Sequence, residues 1–261
     1  MSEGLGATAP RSGELSAGGV DRLSWPDSGA VPGAGRRGVL DGAFGLLAAV
    51  QRAGEAGLTT LASESGLPKT TTYRLLEQLV ELGAVERCGA GYRMGPRMFQ
   101  LGQGWQPHRG LWSAAREPVR RLVGATGASV AINVLRDGQT LVVASVPGEA
   151  GLLTPPQNSL TWPWFTAAGK VLVAGARPGL PLDQLPASWP REAAAIRERG
   201  VAFDREEVMA GVCCVAVPLY KDDGAPVASL SVIGGPSHHL ERLGGIAQLT
   251  GRAISAGLRG R

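Results

Sequence analysis

Apolar residues recur at helical spacing from Val39 onward, in blocks separated by glycine. Leu40, Phe44, Leu47, Ala48 and Val50 predict an amphipathic helix, with Leu46 adding apolar area, and Gly54 and Gly57 end it. Thr59 or Thr60 can cap a second short helix over 61–65. Gly66-Leu67-Pro68 then makes a turn. A third helix is predicted over 69–82, with positions 72, 75, 76, 79 and 80 on its inner face and Gly83 as its stop. The pattern next switches period. AVERCG and GYRMG read as two short strands around Gly89-Ala90-Gly91.

Further along, a helical stretch surrounds MFQLGQGW, and a longer helix is predicted over 111–126. SVAINVL and TLVVASV flank Arg136-Asp137-Gly138-Gln139, a hairpin signal. Helices are predicted over 165–176 and 190–200. GVCCVAVPLY and PVASLSVIG form a second hairpin around Asp222-Asp223-Gly224, and a last helix covers 240–258. Strand pairs interspersed with helices predict an α+β domain with an antiparallel sheet.

The third helix opens on Lys69-Thr70-Thr71-Thr72. β-branched residues are poor inside helices but acceptable in a first turn, where hydroxyls can satisfy free N–H groups. Thr72 lies on the inner stripe, so Thr70, Thr71, Tyr73, Arg74, Glu77 and Gln78 face outward. Residues 58–76 thus read as a helix-turn-helix whose second helix presents Lys and hydroxyls for phosphate and Arg for guanine. An ordinary capped surface helix would account for the decapeptide alone. The hairpin that follows favours DNA, because Arg87, Arg93 and Arg97 sit on or beside it as on a wing that touches the sugar-phosphate backbone. The expected DNA contacts are Lys69, Thr70, Thr71, Tyr73, Arg74, Gln78, Arg87 and Arg93.

Charge changes this picture little. The chain of 261 residues has a formal net charge of +4, and residues 39–97 are neutral overall, so any DNA reading rests on where charges sit. Residues 1–38, rich in Gly, Pro and Ser, are expected to be a disordered tail in which Trp25 is the one residue suited to docking. The cysteines Cys88, Cys213 and Cys214 lack zinc-ligand or disulfide-framework spacing, so neither metal nor cofactor is expected. No apolar run approaches a membrane span and the N-terminus has no hydrophobic signal core. A reduced, cytoplasmic protein with no membrane partner is expected.

GLPKTTTYRLLEQLVELGAVER followed by YRMGPRMFQLG, and later TAAGKVLVA, RERGVAFDREEVMAGVCCVAVPLY and PVASLSVIGGP, resemble the IclR family of bacterial transcriptional regulators over nearly everything after residue 38. The resemblance implies a winged helix-turn-helix domain over 39–97, a linker helix over 98–110 and a GAF-like effector-binding domain over 111–261. It implies a dimer or tetramer on an imperfectly palindromic double-stranded DNA operator, more often repressing than activating, and a small-molecule effector. Carried over by motif, the effector site would use Asp204, Cys214, Ala167, Ala168 and Ser231. Backbone N–H groups at a helix start, with a hydroxyl and a thiol, suit a small carboxylate.

The chain departs from that pattern where Trp162, Trp164 and Phe165 replace smaller or polar residues. These rings are expected to line the pocket for a larger, more apolar effector, or else to fill it. Ile233-Gly234-Gly235 supplies no second polar pocket group after Ser231. Other readings attach to single residues. Cys214 suits strand packing as well as ligand contact, and Asp204 suits a cap for a helix starting at REEV. Lys170 reads as a helix-surface residue, and His238-His239 as a solvated helix start behind Ser237. Two further functions compete. One is a DNA-binding regulator without a ligand, its pocket filled by aromatics. The other is an enzyme on the second domain, for which the sequence offers no Ser/His/Asp set, HExxH or phosphate loop.

Overall fold

The computed structural model describes residues 38–148, 161–176, 182, 185–222 and 224–259. The tail expected over 1–38 lies outside these, apart from Gly38. The first unit is built from α1 (Val39–Ala53), β1 (Glu55–Ala56), α2 (Leu58–Ser65), α3 (Lys69–Glu81), β2 (Val85–Cys88) and β3 (Gly91–Met94). The strands form an antiparallel sheet in the order β1-β3-β2. Leu46, Val50, Leu61, Leu75, Leu76, Leu79, Val85 and Tyr92 close one core between helices and sheet.

Thr72 is fully buried in that core. Its hydroxyl donates to the Pro68 carbonyl at 3.1 Å, one turn back, so burying it leaves no unpaired polar atom. α1 buries Leu47 and Val50 of its predicted face but not Leu40 and Phe44. Leu46, Leu47, Ala49 and Val50 are buried, whereas Leu40 and Phe44 are 74% and 66% exposed. Apolar residues lie on two sides of this helix, and the side through Leu46 and Val50 is the one that meets α2 and β3. α2 also starts earlier than predicted, at Leu58, with Gly57 rather than a threonine in the cap position. The helix predicted within 98–110 is α4 (Pro96–Gly102), and turns follow it as far as Gly110.

The second unit comprises α5 (Leu111–Thr126), β4 (Ser129–Arg136), β5 (Gln139–Val146), β6 (Thr161–Pro163), α6 (Ala167–Gly175), α7 (Trp189–Arg199), β7 (Ala202–Arg205), β8 (Cys213–Leu219), β9 (Ala228–Gly234) and α8 (Leu240–Arg259). Its six strands form a sheet in the order β6-β5-β4-β9-β8-β7, with every pair antiparallel. The β4–β5 turn has positive φ at both Asp137 (49°) and Gly138 (74°), as a two-residue hairpin loop requires.

Alternation along the strands separates two faces. Val130, Ile132, Val134, Val215, Val217, Leu230 and Val232 point to a core closed by α5 and α8. The opposite face carries Ala131, Asn133, Ser231, Cys214 and Ala216, and α6 and α7 lie against part of it. α6 is buried on all sides from Ala167 to Ala174. It lies so close to the sheet that a Cβ at Gly169 would sit 2.4 Å from the hydroxyl oxygen of Thr140 on β5. The β4–β5 register shifts between Ile132 and Asn133, which face Ala144 and Val142, leaving Val143 as an extra residue. Among the described residues no helix is long and apolar enough to cross a membrane.

Candidate functional site

Two surfaces carry chemistry. On the first unit, the N-terminal turn of α3 is bare. Lys69, Thr70, Arg74 and Gln78 are exposed, Tyr73 is 47% exposed and Thr71 is half-buried. Lys69 and Arg74 form no ion pair among the described residues. The inner stripe of Thr72, Leu75, Leu76 and Leu79 anchors the helix, so its opposite face is held outward.

The wing arginines stand differently. Arg87 pairs with Glu77 of α3 and lies 5.7 Å from the centroid of the Tyr92 ring. Arg93 donates to Glu86 at 3.0 Å. Both guanidinium groups are raised above their ordinary value, chiefly by these hydrogen bonds. The sequence places cations on the wing but not their partners, which come from across the sheet and from α3. These exposed pairs are weak enough for phosphate to displace.

On the second unit, the face of the sheet that α6 leaves uncovered forms a cavity of about 280 Å³. β4, β5 and β9 supply Asn133, Thr140 and Ser231; the first turn of α6 supplies Thr166 and Ala168; β7, β8 and the loop between them supply Asp204, Cys214, Val208 and Met209. Thr140, Val142 and Ser145 all border it. The step of three between Val142 and Ser145 is the work of the bulge at Val143. On the cavity floor Asn133 Nδ2 donates to Ser231 Oγ at 2.9 Å, and Ser231 Oγ donates to the Ala131 carbonyl at 3.4 Å.

Of the predicted effector residues, Trp162, Ala168, Asp204, Cys214 and Ser231 border this cavity, whereas Trp164, Phe165 and Ala167 do not. Trp162 lies on the edge strand β6, opposite Thr140, and so keeps its place beside the cavity. Trp164 stands past that strand. Its ring meets Trp189 edge-on at 4.9 Å, packing with α6 and α7, and Phe165 is 42% exposed. Ala167 is buried in the same α6–α7 core. The aromatic segment thus neither fills the cavity nor lines it as a group.

The helix predicted after Asp204 does not form. β7 pairs with β8, setting Asp204 opposite Cys214, and the chain turns through 206–211. Glu206 takes a positive φ of 61° in that turn. Asp204 Oδ1 accepts from the Glu207 N–H at 2.9 Å. Burial pushes the Asp204 carboxyl above its ordinary value, and this N–H opposes the shift in part. Burial likewise drives the Cys214 thiol far up, so it stays protonated. Lys170 is not on the helix surface. It is 5% exposed, with Nζ bound to Glu207, to Glu192 at 3.1 Å and to the Phe203 carbonyl at 3.4 Å. Burial alone would lower its pKa, but the two carboxylates outweigh burial and hold it above the usual value.

His238 is no free helix start: its Nδ1 lies 3.1 Å from the Gly235 N–H, and α8 begins at Leu240. Among the described residues no group of three or more His, Cys, Asp or Glu is placed to hold a metal ion.

A winged helix with an exposed cationic recognition turn, in one chain with a sheet domain holding a small-molecule-sized cavity, defines a DNA-binding transcriptional regulator. Two family models match it: the IclR helix-turn-helix domain over residues 39–89, and the bacterial transcriptional regulator IclR C-terminal domain over residues 186–256. The HTH-type transcriptional regulator BhcR of Paracoccus denitrificans is 27% identical over 214 residues, covering 75% of this chain and 76% of that protein. The transcriptional repressor IclR of Escherichia coli is 26% identical over 201 residues, covering 69% and 73%. The fold matches an IclR homologue from Microbacterium hydrocarbonoxydans, solved in complex with 4-hydroxybenzoate. Its TM-score is 0.75 at 19% identity, covering 86% of this chain and 100% of that one. This chain belongs to the IclR family of bacterial transcriptional regulators.

Proposed function

We propose that the chain represses transcription as a homo-oligomer and that a small molecule in the cavity changes its grip on DNA. Residues 39–97 would bind the operator, 98–110 connect, and 111–261 bind the effector. The observation that carries this reading is the bare first turn of α3. Lys69 and Arg74 stand unpaired among the described residues while neighbouring arginines are matched to glutamates. Thr70, Thr71, Tyr73 and Gln78 extend the same surface, and Arg87 and Arg93 would exchange glutamate for phosphate on the flanking backbone.

Repression is supported by the relatives, among them the Escherichia coli repressor. An effector is supported by the cavity and by the 4-hydroxybenzoate complex of the Microbacterium protein. Oligomerisation is supported by Val39, Leu40 and Phe44 on α1 and Phe99 and Leu101 on α4, all more than half exposed. A second copy would cover such apolar surface, and two-fold pairing calls for an imperfectly palindromic operator.

The test begins with selection of bound DNA from a random pool. Arg74→Ala should then weaken binding to the selected site by about 1–3 kcal/mol and relax preference at one position per half-site. Lys69→Ala should weaken all sequences alike and lower the salt dependence by roughly one phosphate contact. Footprints and salt slopes unchanged in both variants would refute the assignment of α3.

A further inference from the structure

The cavity wall built from residues 206–212 is lightly rooted. It supplies Val208, Met209 and Val212 to the lining, and none of these three packs in the hydrophobic cores of the fold. Its internal ties are polar. The Glu206 N–H donates to the Val212 carbonyl at 3.1 Å, the Val212 N–H to the Met209 carbonyl at 3.1 Å, and the Gly211 N–H to Glu206 Oε2 at 2.7 Å. Glu207 fastens the loop to its surroundings. Its N–H donates to Asp204 Oδ1 at 2.9 Å, and its carboxylate pairs with Lys170. A loop held by a few hydrogen bonds near solvent opens at low free-energy cost, so the loss of one fastening should show.

Lys170 is the one charged side chain on α6, a helix that is buried from Ala167 to Ala174 and lends Ala168 to the same cavity. Lys170 itself does not border the cavity. Its ammonium joins three elements: α6, the loop through Glu207, and α7 through Glu192 at 3.1 Å. Among the described residues none of α7 borders the cavity. The two carboxylates therefore differ in consequence, Glu207 holding a wall of the cavity and Glu192 holding helix packing. A buried ammonium with its partners adds little stability over an apolar side chain of similar volume. What it supplies is a fixed point, set on a closely packed helix, for the exposed carboxylate it grips.

We propose that Lys170 is a positioning residue for the cavity: by gripping Glu207 it sets the wall formed by 206–212, and through that wall the fit of a ligand it does not touch. The proposal rests on the effector-binding reading above.

The test compares the unaltered full chain with Lys170→Met, Glu207→Ala and Glu192→Ala. None of these strands a charge, because Met is apolar and either Ala variant leaves the ammonium one carboxylate. Thermal melting confirms that each is folded. Hydrogen exchange is read by mass spectrometry on peptides spanning 206–212. Lys170→Met and Glu207→Ala should speed it by about tenfold, and Glu192→Ala should leave it within about twofold. A merely structural pair would make the two Ala variants behave alike. The same proteins are then titrated calorimetrically with 4-hydroxybenzoate, a single substituted ring suited to a cavity of about 280 Å³. Its affinity should fall about tenfold in the first two variants and stay within about twofold in the third. Exchange unmoved by Lys170→Met, or raised as much by Glu192→Ala, overturns the positioning role. So does loosened exchange with unchanged affinity. Absence of binding by the unaltered protein overturns the reading of the cavity as a site for such a ring, while the exchange result still stands or falls on Lys170 alone.

Discussion

Lys170 offers a test of the fold in which two opposite deletions should give unequal results. Its ammonium is buried, but its partners Glu192 and Glu207 keep 41% and 45% of their side-chain surface in water. Lys170→Met removes the buried charge and keeps an apolar stem of similar length. The two glutamates then turn to solvent, so the cost should be about 0–1 kcal/mol, as for an exposed ion pair. Glu192→Ala with Glu207→Ala leaves the ammonium under α6 with the Phe203 carbonyl as its remaining acceptor. Stranding a buried charge costs about 3–5 kcal/mol, and the remaining carbonyl argues for the lower end.

The pH dependence should differ in sign. In the unaltered protein the Lys170 pKa is raised above its ordinary 10.5, so its stabilisation is complete below that value and is lost as pH rises through the folded pKa. In the double variant burial acts alone and depresses the pKa. The deficit should then be full at pH 7 and shrink as pH approaches 10. Urea denaturation followed by tryptophan emission measures this, because Trp164 and Trp189 pack beside α6 and α7 and residues 39–97 contain no tryptophan. A Lys170→Met cost equal to that of the double variant, or a double-variant deficit unchanged between pH 7 and pH 10, would refute the reasoning.

Three further outcomes follow from the same geometry. Gly169→Ala should destabilise the second unit by about 1–3 kcal/mol or more in urea melts, because a Cβ there meets the Trp164 carbonyl and the Thr140 hydroxyl. Asp204→Asn should melt higher than the unaltered protein at pH 7, with the gap closing as pH falls toward the ordinary carboxylate value of 3.8, since a raised carboxyl pKa opposes folding above it. Trp164→Ala should cost up to about 3 kcal/mol through lost packing on Trp189 and leave the affinity of any cavity ligand within twofold, whereas loss of ligand binding in a folded variant would place Trp164 in the site.

The elements that could be read from sequence are those whose signals are local. α3 is legible because Gly66 and Pro68 bound it on one side, Gly83 on the other, and its stripe is unbroken from Thr72 to Leu79. The β4–β5 hairpin is legible from Asp137-Gly138 alone. α1 misleads because Leu40 and Phe44 are as apolar as Leu46 and Leu47, and only packing against α2 and β3 decides which side is inner. REEV misleads because its acidic residues look like a helix start, whereas pairing of β7 along β8 carries the chain past any helix. The cavity is legible in part. Asp204, Cys214 and Ser231 come from motifs, but Asn133, Thr140, Val208 and Met209 reach it through strand register and a loop. Lys170 could have been suspected, since it sits in an otherwise apolar stretch from Ala167 to Ala174 where a lone cation must find partners.

The extra residue at Val143 makes β5 two half-strands with opposite phase. Leu141 and Val143 pack on the α5–α8 core, while Val142 and Ser145 border the cavity. Chemistry at the Ser145 end can therefore vary without disturbing the even-numbered frame that holds Thr140 and Val142. A deletion of Val143 would restore plain alternation and leave Ala144 opposite Ile132 and Ser145 opposite Ala131. One inserted residue thus carries two phases in a single strand, so the cavity wall takes even positions at the near end and an odd one at the far end while the sheet keeps its pairing.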